Sequence, residues 1–234
     1  MLEIESLSGG YGQVNVLWDI DLRIGDNEIV ALVGSNGAGK STLLRTISGM
    51  LPPTSGTISW KGRDITGVPS HQIVSLGIAH VREGRHLFSG LTVRENLVIG
   101  SYHRKDSEIE PDIQRMVEYF PRLGERMSQV AGRLSGGEQQ MCAIARGLMA
   151  KPDLIMIDEL SLGLAPNLVD DLLDRLEEIV ASGTSVLLVE QDVDAALRTA
   201  ARGYVLETGR IVAEGKSADL LSDDRVKEAY LGVG

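Results

Sequence analysis

The sequence predicts an α/β protein with a parallel-sheet core, an antiparallel β subdomain at its N-terminal end and a helical subdomain inserted over residues 91–150. Three observations predict it. Short apolar runs alternate with segments of helical spacing, the pattern of a parallel sheet built from strand–helix units. One run leads directly into Gly34-Ser35-Asn36-Gly37-Ala38-Gly39-Lys40-Ser41-Thr42, a G-x-x-x-x-G-K-[ST] stretch lying between a strand and a helix. Each buried run also ends in residues suited to phosphate chemistry, where open α/β sheets bind their ligands.

Residues 1–30 alternate apolar and polar positions around Gly9-Gly10 and Gly25-Asp26-Asn27. With Gly56-Thr57-Ile58-Ser59-Trp60 they read as antiparallel strands beside the first buried strand, Ile29–Val33. Leu43–Ile47 continues as a helix after the glycine loop, and Pro52-Pro53 ends it. Gly77–Val81 is the next buried strand. From Thr92 to Ala150 the spacing is helical and rich in charge, with Pro111, Pro121 and Gly132 as breaks. Strands return at Leu154–Ile157 and Ser185–Val189, separated by a helix around Leu168–Val180. No repeat or long linker divides residues 1–234, so one domain is expected.

Composition narrows the function. The net charge of −10 opposes nucleic acid and anionic lipid, so no nucleic-acid partner is expected. A single cysteine, Cys142, rules out a disulfide framework; its apolar helical neighbours Met141, Ile144, Ala145 and Leu148 make it core filler. The N-terminal stretch Met1-Leu2-Glu3-Ile4-Glu5 has no signal-peptide character. No apolar run approaches ~18 residues, so membrane attachment is expected only through a partner. His71, His80, His86 and His103 lack metal-ligand spacing.

The chemistry sits at the strand ends. In the loop Asn36, Gly37, Ala38, Gly39, Lys40, Ser41 and Thr42, backbone N–H groups converge on phosphate oxygens, and the helix N-terminus adds its partial positive charge. Lys40 is expected on the β- and γ-phosphates of ATP, and the Ser41 hydroxyl on Mg²⁺. Asp158, after four apolar residues, is placed to bind Mg²⁺ through water, and Glu159 to polarise the attacking water. Leu134-Ser135-Gly136-Gly137-Glu138-Gln139-Gln140 contains an S-x-x-E capping box that starts a helix through Leu148. A capping box alone does not require two consecutive glycines. A second helix start open to phosphate is most naturally offered to a nucleotide held by another subunit, so Ser135, Gly136, Gly137 and Glu138 are expected to act in trans across a dimer.

Taken together, these motifs resemble the nucleotide-binding subunits of ABC transporters, a branch of the P-loop NTPases, along essentially the whole chain. The resemblance adds Tyr11 as an adenine-stacking aromatic, Val16 as a further nucleotide contact, a Q-loop region at Val81–Phe88, a D-loop at Ser161-Leu162-Gly163-Leu164 and a switch region at Glu190-Gln191. Tyr11 also suits an ordinary strand edge. Glu83–Phe88, Asp158–Pro166, Val189-Glu190-Gln191 and Gly203–Arg210 are similar to the shorter ATPase subunit of branched-chain amino-acid importers. That likeness implies an ATPase powering uptake of leucine, isoleucine, valine or related amino acids. The implied partners are a second, different ATP-binding subunit, transmembrane permeases and, indirectly, a periplasmic binding protein; the implied place is the cytoplasmic face of the inner membrane, peripheral through the permeases. A permease groove is implied near Glu83–Tyr102, where Arg82, Arg85, Arg94, Arg104 and Lys105 serve the groove or form a solvated face.

Two positions depart from the general family pattern. Glu83 replaces the usual glutamine and is a candidate Mg²⁺ ligand that also repels the triphosphate; Gln191 replaces the usual switch histidine and offers the γ-phosphate only a neutral hydrogen bond. A weaker hydrolytic site in a heterodimer is therefore expected. The rival readings are an ABC ATPase that moves lipid or lipopolysaccharide and a non-transport ABC ATPase acting on DNA. The second usually needs a coiled-coil or zinc insertion between Lys40 and Ser135, where this chain has an ordinary helical lobe without Cys pairs. Regulatory GTPases are set aside because no N-K-x-D base reader is present.

Overall fold

In the computed structural model the described residues are 1–226. Strands β1 (Leu2–Tyr11) and β2 (Val14–Ile24) form a hairpin, followed by β3 (Ile29–Val33) and helix α1 (Lys40–Ile47). Then come β4 (Pro53–Trp60), β5 (Arg63–Asp64), α2 (Ser70–Ser75) and β6 (Ile78–Val81). Helices α3 (Val93–Gly100), α4 (Ile109–Tyr119), α5 (Pro121–Gly124) and α6 (Gly136–Leu148) fill the middle of the chain. The remainder alternates: β7 (Leu154–Asp158), α7 (Pro166–Ala181), β8 (Ser185–Glu190), α8 (Val193–Thr199), β9 (Arg202–Glu207) and β10 (Arg210–Lys216). Short helices over Ser217–Ser222 and Asp224–Val226 follow.

The main sheet has the order β10-β9-β3-β8-β7-β6, parallel throughout except for β10, which pairs antiparallel with β9. Its strands are apolar on both faces because each face is covered. The two-residue alternation separates them cleanly. Ala31, Val33, Ile155, Ile157, Val186 and Leu188 face one core, shared with α3–α8. Val30, Leu32, Leu154, Met156, Leu187 and Val189 face the other, shared with α1 and the N-terminal strands.

The antiparallel strands do not lie beside β3 in one sheet. They form a separate sheet, order β2-β1-β4-β5, whose inner side chains Leu2, Ile4, Leu7, Leu22 and Ile58 meet the main sheet's second face with α1 in the same core. Alternation along β1 and β2 reveals one buried face but not which layer buries it. Gly9 and Gly10 lie within β1 rather than at its end, at register shifts against β2. Pro111 likewise does not break a helix: it sits in the first turn of α4, where a missing N–H costs no intrahelical bond.

The helical region shares one continuous core with the sheet through Leu97, Ile113, Met116, Phe120, Cys142 and Ile144. Cys142 is fully buried and burial pushes its thiol up to about 11, which makes it an inert apolar filler. Arg104 ties α4 to α6, with Nη2 bridging Asp106 and Asp112 at 2.6 Å and Nη1 donating to the Met149 carbonyl at 2.8 Å. Among the described residues no helix is long and apolar enough to cross a membrane.

Candidate active site

The ends of β3, β7 and β8 converge because these strands are neighbours in parallel register, with Val33 opposite Glu190 and Asp158 opposite Val189. A cleft of 470 Å³ opens there, lined by Val16, Asn36, Gly37, Gly39, Lys40, Ser41, Thr42, Glu83, Glu159 and Leu162. Gly37 and Gly39 adopt φ of 82° and 112°, so the loop wraps the start of α1 in conformations that favour glycine. The first turn of α1 carries no acidic residue, which leaves its positive end open to an anion.

Lys40 is 4% exposed, yet its ammonium is fully engaged. Nζ donates to the Gly34 carbonyl at 2.7 Å and the Ser35 carbonyl at 3.2 Å, and lies 3.6 Å from Glu159 Oε1. Asp158 is buried; the Ser41 hydroxyl bonds one side of its carboxylate, and Oδ1 has no partner among the described residues. Burial raises the Asp158 pKa above its usual range, and the nearby charges of Glu159 and Glu83 add to the rise. An under-satisfied buried carboxylate beside a hydroxyl and two further carboxylates is a hard-oxygen donor set that fits Mg²⁺. Glu159 holds φ of 50°, a conformation rare for a residue with a side chain, and its N–H donates to the Val189 carbonyl at 2.9 Å.

Other expected residues lie apart from this cleft. Tyr11 is exposed; Arg45 Nη1 donates to its hydroxyl at 2.7 Å, and Thr42 Oγ1 lies 3.5 Å away. Ala38 is buried and supports the loop through its backbone. Gln191 is exposed and does not line the cleft. Ser135, Gly136, Gly137 and Glu138 open α6 on the helical side, with both capping-box bonds present. The Glu138 carboxylate is occupied within its own subunit by the Ser135 N–H at 2.8 Å and by an ion pair with Arg126. Gly137 also has a packing reason: a Cβ there would lie 1.9 Å from Leu168 Cδ2 of α7.

A second cleft, of 370 Å³, runs along β6. The exposed Met50, Phe88 and Tyr102 rim it, with Ile73, Val74 and Ile99 among its apolar walls. Of the five basic residues expected there only Arg82 lines it; Arg85 reaches Gln139 and the Leu162 carbonyl, Arg94 pairs with Glu110, and Arg104 is spent inside the helical region. Burial pushes His80 down to about 4, aided by the charges of Arg82 and Arg45, so His80 stands in this wall as neutral imidazole beside Arg82. Adjacent residues thus serve different clefts, Arg82 this one and Glu83 the other.

Sequence reading missed Gly209. The Thr208-Gly209 turn joins β9 to β10 with φ of 46° and 77°, and the Gly209 N–H donates to the Ala38 carbonyl at 2.8 Å while its carbonyl accepts from Trp18 N–H at 2.8 Å. A Cβ on Gly209 would meet the Val16 carbonyl at 1.8 Å. The signal was a Thr-Gly pair between two short alternating runs. Gly209→Ala is expected to lower unfolding free energy by about 2–4 kcal/mol and to weaken ATP binding, because it drives a Cβ into Val16 and strains the turn that braces Ala38 of the phosphate loop. Urea denaturation and nucleotide titration check both effects.

A glycine loop on a helix N-terminus, with a lysine, a hydroxyl and two carboxylates at adjoining strand ends, defines a nucleotide-hydrolysing P-loop protein. The family profile described as ABC transporter matches residues 17–161. The chain is 46% identical, over 99% of its length and 100% of the relative's, to the high-affinity branched-chain amino acid transport ATP-binding protein BraG of Pseudomonas aeruginosa. It is 33% identical to the lipopolysaccharide export system ATP-binding protein LptB of Escherichia coli, over 99% of this chain and 97% of that one. The solved ADP conformation of MJ1267, an ATP-binding cassette of an ABC transporter, superposes with a TM-score of 0.89 at 28% identity, covering 100% of this chain and 99% of that one. This chain belongs to the ABC transporter family. It is an ATP-binding cassette whose hydrolysis of ATP is coupled to transport through transmembrane permease subunits.

Proposed function

We propose that this chain powers the uptake of branched-chain amino acids from the cytoplasmic face of the inner membrane, where permeases hold it. The observation that carries the hydrolytic half is the 470 Å³ cleft with Lys40 and Glu159 side by side at the start of α1. The cargo rests on full-length likeness to a branched-chain amino-acid relative.

ATP enters with its phosphates on the backbone of residues 36–42 and on Lys40. Val16 borders the nucleotide and Tyr11 offers its ring to the adenine. Ser41, Asp158 and Glu83 would hold Mg²⁺, and the ion would supply charge neutralisation for the phosphates. Glu159 takes the proton of the attacking water. Ser135, Gly136, Gly137 and Glu138 close the site of a facing subunit, Glu138 by capping the helix start with its carboxylate rather than by touching the nucleotide. Nucleotide contacts made only in the closed dimer shift it toward closure, and hydrolysis reverses the shift. The 91–150 helical subdomain and the Phe88–Tyr102 cleft carry that motion to the permeases.

We further propose a heterodimer in which the ATP site on this subunit's phosphate loop turns over more slowly. Gln191 can offer the γ-phosphate only a neutral bond, worth about 1–2 kcal/mol less than a charged one. Gln191→His is then expected to raise turnover about tenfold in single-turnover assays; a slower variant contradicts this. Affinity purification of the full complex tests the whole reading. Two multi-span permeases and a second ATPase, with leucine uptake lost on depletion, are expected. Recovery of lipopolysaccharide-export components would favour the second reading, which the likeness to LptB keeps open.

A further inference from the structure

We propose that Glu190 is a positioning residue for ATP hydrolysis, its buried carboxylate clamping Ser161 so that the strained backbone at Glu159 holds its side chain in the cleft. This rests on the reading of Glu159 as the base. Glu190 is the last residue of β8, 3% exposed and in register with Val33, directly before the phosphate loop. Oε1 accepts the Ser161 N–H at 2.8 Å and Oε2 accepts the Ser161 hydroxyl at 2.8 Å. The Gln191 N–H completes the set, and among the described residues no cation joins it.

A carboxylate sealed from water with only neutral partners is expensive, and an apolar residue of similar size would be cheaper at a strand end. What the carboxylate supplies is two-point attachment of Ser161. The segment after β7 is thereby pinned three times in succession. The Glu159 N–H bonds the Val189 carbonyl at 2.9 Å, Leu160 is fully buried, and Ser161 is held on both its polar groups. Between these pins Glu159 is forced to φ of 50°, which persists only where neighbours over-determine it. Free the Ser161 end and the backbone at Glu159 relaxes, carrying its carboxylate out of line with Lys40.

The test is steady-state ATPase of the full chain assembled with its permeases, with melting temperature measured in parallel. Glu190→Ala is expected to lower kcat about 30-fold with KM for ATP within about twofold, because a misaligned base costs rate rather than binding. Glu190→Gln is expected to retain kcat within about threefold, since its amide oxygen accepts the Ser161 N–H and its amide N–H donates to the hydroxyl oxygen. Ser161→Ala is expected to lower kcat about fivefold alone and to add nothing in the Glu190→Ala background, the non-additivity of one shared contact. Should Glu190→Ala not assemble, Glu190→Gln and Ser161→Ala decide. The proposal is overturned if Glu190→Gln is as damaging as Glu190→Ala, if Ser161→Ala leaves kcat unchanged, or if only the melting temperature moves. Full turnover in Glu159→Gln would instead sink the base assignment, leaving the clamp without a client.

Discussion

Glu159→Gln is expected to lower ATP turnover at least about 10²-fold while ATP still binds. The amide is nearly isosteric with the carboxylate but cannot accept a proton from water. The loop should survive the change, because Lys40 keeps its bonds to the Gly34 and Ser35 carbonyls and loses only the contact at 3.6 Å. The backbone at residue 159 also keeps its N–H bond to the Val189 carbonyl. Removing one negative charge beside the phosphates should tighten ATP binding slightly. Single-turnover hydrolysis together with a fluorescent-nucleotide titration separates the effects. Turnover within threefold of the parent protein would remove Glu159 from the mechanism.

Lys40→Met is expected to weaken ATP binding by about 10²–10³-fold, which corresponds to losing charge-assisted bonds worth about 3–4 kcal/mol. The charges of Glu159 and Glu83 bear on Asp158 beside this cleft, and Lys40 is the cation whose charge opposes them there. Without it the triphosphate meets these carboxylates with only the backbone dipoles of the loop and helix start to offset them. Loss of the bonds to Gly34 and Ser35 should also loosen the loop. The same titration measures it, and an affinity within threefold of the parent would mean that the backbone alone holds the phosphates.

Much of the fold was legible because local chemistry and global structure agree here. The stretch Ile29–Val33 is apolar at every position, and the structure buries all of it between two cores. The phosphate loop was legible because its glycines, lysine and hydroxyl are consecutive in the chain, so spacing alone carries their geometry. Ser135 and Glu138 were readable for the same reason, and the capping box forms as the pattern requires.

The unread parts depend on contacts between distant segments. Nothing in Gly209 announces that its N–H will brace Ala38, far earlier in the chain. Glu190 reads as a polar strand end until the fold brings Ser161 onto it. Gly137 reads as an opening for phosphate, yet Leu168 of α7 supplies a second reason for its bare Cα.

From residue order came the class of protein, the phosphate loop, the carboxylates after β7 and the helix start at Ser135, since each is written in neighbours a few positions apart. Tertiary structure alone settled the layering of the two sheets, the pairing of Lys40 with Glu159, and the division of Arg82 and Glu83 between two clefts. The physical reason is range: backbone preferences and periodicity act over a few residues, whereas burial and charge pairing depend on which surfaces meet when the chain closes on itself.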